Sequence, residues 1–167
     1  MYSSSSLGLI HFIAALLSLV TGTAVLAMAK GTRRHRLVGY GYWFSMAVML
    51  VSSFLTYNLF GGWGIFHWFS VVSSITLIGG IIPVFVRKSP NWVEAHFAFM
   101  YWSVFGLYAA LWSEILTRVP ETPFFNMVGI ATFLTMAVGY AGWARYKTKW
   151  NRQFVRPTVQ EREPLFG

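Results

Sequence analysis

Five apolar runs in one chain of 167 residues leave it little choice of environment. A helix needs about 20 consecutive apolar residues to cross the hydrocarbon core of a bilayer. Leu7–Ala29, Leu37–Tyr57, Ile65–Val86 and Phe124–Ala144 reach that length without a Lys, Arg, Asp or Glu. The fourth run in chain order is shorter. Its charge-free core is Phe97–Ser113, with Glu94, His96 and Glu114 at the edges. Inside lipid every backbone polar group must be satisfied within the protein, so runs of this kind are helices.

Composition closes the alternatives. Charged residues make up 11% of the chain, against about 25% in soluble domains. That excludes an ordinary soluble globular domain and a disordered chain. The absence of cysteine excludes a disulfide scaffold, a thiolate nucleophile, an iron–sulfur cluster and covalent c-type haem attachment. A net charge of +8 fits contact with anionic headgroups and not with nucleic acid. No phosphate-binding glycine loop, nucleophile elbow or zinc-protease helix is present.

The distribution of basic residues predicts the topology. Lys30, Arg33, Arg34 and Arg36 follow the first run, Arg87 and Lys88 the third, and Arg145, Lys147, Lys149, Arg152, Arg156 and Arg162 the fifth. Arg118 alone falls on the other side. The positive-inside rule then places the amino terminus outside and the carboxyl terminus in the cytoplasm. Ala27-Met28-Ala29 resembles a signal-peptidase site, but Met1–Ser6 lacks the positive charge of a signal peptide. The expected fold is all-α: a polytopic membrane bundle of five transmembrane helices, a four-helix core plus one. Residues 1–146 form the membrane domain and 147–167 a polar, mobile cytoplasmic tail.

Four histidines carry the chemical information. Alternating topology sorts them into an outer layer, His11 and His67, and an inner layer, His35 and His96. Each pair comes from helices running in the same direction, which sit diagonally in a four-helix bundle. Two imidazoles on facing helices suit the two axial positions of a b-type haem. Two layers give one haem b per leaflet. From His96 to Glu114 is 18 residues, about 27 Å along a helix, which bounds the separation of the layers. His11, Ala15, Ser18, Gly22 and Val25 share one face of the first helix, mostly small and roomiest beside His11. Gly39 follows His35 by one turn. His96, Met100, Ser103, Leu107, Ala110 and Glu114 share a face of the fourth helix. Arg33, Arg34 and Arg36 can pair with propionates.

Other readings use the same residues. His11, His67 and Glu114 have the composition of a zinc, copper or iron site. Glu114 and Arg118, four apart, also form a local ion pair with ease. Small faces let membrane helices approach closely without any cofactor, and histidines at helix ends sit in wet headgroup layers. Trp63, Trp68, Trp92, Trp112, Trp143 and Trp150 fall near run boundaries, as an interfacial belt. Tyr40, Tyr42 and Trp43 lie near the inner layer, in reach of a quinone or haem edge, with packing as the simpler role.

Residues 7–116 resemble a family of bacterial predicted membrane proteins known as a domain of unknown function. The resemblance rests on His11 early in span one, the basic loop running into His35-Arg36-Leu37-Val38-Gly39, and His96 opening span four. It implies a bacterial inner-membrane location and no particular activity. The histidine layout is also similar to that of transmembrane di-haem cytochromes b, including the ascorbate-reducible type. That resemblance implies haem ligation by His11 with His67 and by His35 with His96. The expected function is a small membrane cytochrome passing electrons to a quinone or redox protein. The alternatives are a cofactor-free accessory subunit of a larger membrane complex or homo-oligomer, and a non-haem metal or proton pathway.

Overall fold

The computed structural model describes residues 6–56, 61–119 and 123–154, with side chains as far as Trp150. Among these residues there are five helices: α1 (Ser6–Ala27), α2 (Arg33–Phe54), α3 (Ile65–Val86), α4 (Trp92–Leu116) and α5 (Phe124–Phe154). The helical membrane bundle expected from the apolar runs is present. Four of the helices, α1, α2, α3 and α5, are long and apolar enough to cross a membrane. Their surfaces expose Phe12, Val20, Phe44, Val72, Phe85 and Phe133, as a lipid-facing exterior requires.

α4 is the exception in composition and the hub in packing. It contacts α3, α5 and α1 and buries Met100, Tyr101, Ser103, Val104, Leu107, Ala109 and Ser113. A helix with protein on most of its sides needs less apolar surface, which explains its weak hydropathic signal. α1 also packs on α2, and α2 on α3, whereas α1 and α3 do not touch, nor do the backbones of α2 and α4 approach. The first four helices therefore form a ring with α1 opposite α3 and α2 opposite α4. α5 packs chiefly on α4, and Phe124 at its start meets Phe66 of α3 edge-on, with ring centroids 6.1 Å apart.

Lipid supplies no hydrophobic drive between helices, so close packing and interhelical hydrogen bonds hold them together. Tyr42 is fully buried at the centre, against Gly22, where an added Cβ would stand 2.8 Å from its ring. Its hydroxyl meets Ser103 Oγ at 2.8 Å. The α1–α2 seam adds Ser18 donating to Ser45 at 2.9 Å. Ser53 meets Ser70 at 2.6 Å between α2 and α3. On the α4–α5 seam, Tyr101 donates to the Gly139 carbonyl at 2.7 Å, and Phe105 packs where Gly139 has no side chain.

Two expectations change. The small face of α1 is real, with Ser18, Gly22 and Val25 buried and Ala15 half-buried, but from Ser18 onward α2 and Tyr42 fill it. Ser18 is spent on Ser45, and Gly22 receives Tyr42. The fifth helix does not stop at Ala144; it runs on through Phe154, taking in the first residues of the expected tail. Trp150 packs on Phe97 and Tyr101, which fastens this extension to α4. Residues 155–167, with Arg156 and Arg162, and Tyr57 and Phe60 lie outside the described residues.

Candidate functional site

Antiparallel packing brings the histidines to the two ends expected of them. His11 reaches Ser52 across the α1–α2 seam, and neighbouring Ser53 reaches Ser70, one turn below His67. His11 and His67 therefore share one end. At the other end, His35 on α2 and His96 on α4 lie close enough for their charges to interact, with Lys30 also in range of His35. Every basic residue described except Arg118 belongs to this second, basic end.

The hydrogen bonds fix which ring nitrogen carries the proton. A carbonyl only accepts, so an imidazole nitrogen facing one must donate. His96 Nδ1 lies 2.7 Å from the Gly80 carbonyl, which leaves the lone pair of the neutral ring on Nε2. His11 Nδ1 lies 3.1 Å from the Met49 carbonyl and 3.0 Å from Ser52 Oγ, with the same result. An imidazole anchored through Nδ1–H to a carbonyl is the usual preparation of a metal ligand. His67 is the reverse. The Gly64 backbone N–H donates to His67 Nδ1 at 3.1 Å, so in the neutral ring Nε2 is the protonated nitrogen. Its ring also stacks on Trp63, with centroids 4.9 Å apart.

His35 is placed by the start of α2. Thr32, in extended conformation, caps the helix by accepting the His35 backbone N–H at 3.1 Å. The side chain takes no part in this cap. Its Nδ1 is buried and, among the described residues, has no hydrogen-bond partner, an uncommon state for a buried polar atom. Beside it, apart from Gly39's chain neighbours and the adjoining backbone of α2, no atom lies within 4 Å of where a Cβ on Gly39 would stand. Lys30 closes the preceding helix, its ammonium donating to the carbonyls of Val25, Leu26 and Met28.

The residues expected to form a non-haem outer site do not assemble. Among the described residues no group of three or more His, Asp or Glu comes together to hold a metal. Glu114 is exposed and pairs with Arg118 at 2.5 Å, the local ion pair its spacing allowed. The apolar cleft between α4 and α5, about 450 Å³, is lined by Phe105, Tyr108, Trp112 and Leu134 among others and by none of the histidines.

Sequence reasoning missed the group that seats His96. Gly79 and Gly80 carry no side chains to cover their carbonyls, and Pro83, which lacks an N–H, leaves the neighbouring Gly79 carbonyl without its helical donor. A Gly-Gly pair followed by Pro inside an apolar run was the available signal. It also missed the buried hydroxyls of Ser45, Ser52 and Ser70, visible only as serines recurring inside apolar spans.

No curated protein and no solved structure matches the chain. Residues 8–145 match the family described as predicted membrane protein (DUF2306), which takes in all four histidines and both of their ends. The chain belongs to this family of predicted membrane proteins.

Proposed function

We propose that this protein is a small membrane electron carrier that holds one b-type haem at its basic end, between His35 and His96. The observation that carries the reading is the His96 imidazole, anchored by Nδ1 to the Gly80 carbonyl with its Nε2 lone pair left for a metal. The unpartnered Nδ1 of His35 and the space beside Gly39 support it. A haem held there supplies one-electron exchange. The chain's own residues hold and tune it. Gly80 fixes the His96 tautomer, Thr32 fixes the helix start that carries His35, and Arg33, Arg34 and Arg36 stand nearby to pair with carboxylates. The donor set does not support a second haem at the other end, since His67 keeps its Nδ1 lone pair on Gly64. The partners of such a carrier are a membrane quinone or a redox protein.

The test is a reduced-minus-oxidised spectrum of the purified protein after expression with ample haem, with haem quantified per chain. About one b-type haem per chain is expected. A haem-free protein overturns the reading and leaves a cofactor-free subunit of a larger assembly.

A further inference from the structure

Arg87 stands where a helix end favours glycine. It caps α3 in the left-handed conformation, with φ 47° and ψ 24°, and is the one non-glycine residue with positive φ among those described. A long side chain adopts this conformation at a cost, and here the conformation fixes the side chain in place. Nε donates to the Val84 carbonyl at 2.9 Å, and the guanidinium lies over the Trp92 ring, 5.1 Å from its centroid. Its terminal nitrogens have no acceptor among the described residues. Lys88 follows, exposed. The nearest acid in sequence is Glu94, in the first turn of α4, and it forms no ion pair with either, the described ion pair being Glu114–Arg118. Immediately before Arg87, Phe85 and Val86 are 70% and 50% exposed.

We propose that the α3–α4 turn binds the phosphate headgroup of an anionic phospholipid, gripped by Arg87 and Lys88, with an acyl chain along Phe85 and Val86. A guanidinium held over one ring by Nε and the indole still offers its terminal nitrogens to a phosphate. Trp92 places them at headgroup depth. The exposed apolar pair directly next to it selects an amphiphile, since a free phosphate or an acidic soluble protein makes no use of it. Glu94 apart, the charge at this end favours an anion: Arg33, Arg34, Arg36, Arg145, Lys147 and Lys149 are all exposed there.

The experiment uses the full chain in nanodiscs of phosphatidylcholine with phosphatidylglycerol, followed by delipidation and mass spectrometry of the retained lipid. The wild type is expected to retain phosphatidylglycerol over phosphatidylcholine. Arg87→Gly removes the charge and relieves the backbone. It is expected to lower retention about five-fold while its thermal midpoint in pure phosphatidylcholine equals or exceeds that of the wild type. Lys88→Gln, with no backbone constraint, is expected to lower retention to a similar degree. Excess inorganic phosphate should leave retention unchanged. Wild-type retention in both variants, or displacement by inorganic phosphate, overturns the proposal.

Discussion

The starts of α2 and α3 present the same residue at the same place and use it differently. His35 and His67 each stand three residues after the cap of their helix, Thr32 and Gly64. A full capping box has two halves: the cap side chain takes the backbone N–H of the third residue, and the third side chain takes the N–H of the cap. α2 keeps the first half, through the Thr32 hydroxyl. α3 keeps the second, through the His67 ring. Glycine has no side chain to offer, so the imidazole turns back and is occupied by the fold. Threonine does the capping alone, and the imidazole of His35 is left for other work. Whether a helix-start histidine is structural or available is decided by its neighbour three residues earlier.

The largest effect that tests this contrast is all or none. His96→Ala and His35→Ala should each abolish haem binding, whereas His67→Gln, which can still accept the Gly64 N–H, should retain the full haem content. Loss of haem in His67→Gln would erase the distinction between the two ends. Next in size is Tyr42, on the same helix as His35. Tyr42→Ala should destabilise the bundle by about 3–5 kcal/mol, measured by denaturant titration in detergent. Tyr42→Phe, losing only the Ser103 bond, should cost about 1 kcal/mol. The caps come third. Thr32→Ala and His67→Ala should each cost about 1 kcal/mol, but Thr32→Ala alone should also weaken haem retention.

The smallest effect concerns Lys30, in the turn before α2. Burial pushes its ammonium below the ordinary value of 10.5. The folded state thus binds fewer protons than the unfolded state just below that value. The penalty of burying the charge is fully present at lower pH and is relieved as pH rises through the lowered value toward 10.5. Stability should therefore increase over that window, and Lys30→Met should flatten the slope.

The spans, their alternation and the sorting of histidines to two ends were legible because each depends on runs of residues and on order along the chain. The tautomers were not, because they depend on single backbone groups. Gly80 becomes an acceptor for His96 only once α3 and α4 pack antiparallel, and Gly64 becomes a donor only through its loop geometry. The small face of α1 was legible as a face, but not what fills it. Sequence periodicity marks where side chains are small and says nothing about which neighbour enters, here the ring of Tyr42. The Glu114–Arg118 pair was readable from spacing alone because both partners lie on one helix.

The central position of α4 bears on how the chain is made. The four other helices carry enough apolar surface to settle in a bilayer individually, while α4 draws its stability from α3, α1 and α5. During synthesis it emerges after α3 and before α5, with one flank still bare. In that interval His96 and Ser103 already have Gly80 and Tyr42, while the Tyr101 and Ser113 hydroxyls still lack their α5 partners, Gly139 and Thr132. Insertion of this helix is thus a cooperative event, completed when α5 arrives to place Gly139 against Tyr101 and Phe105. A chain halted after residue 119 would hold its most buried helix on the surface, and quality-control proteases of the membrane would meet it there.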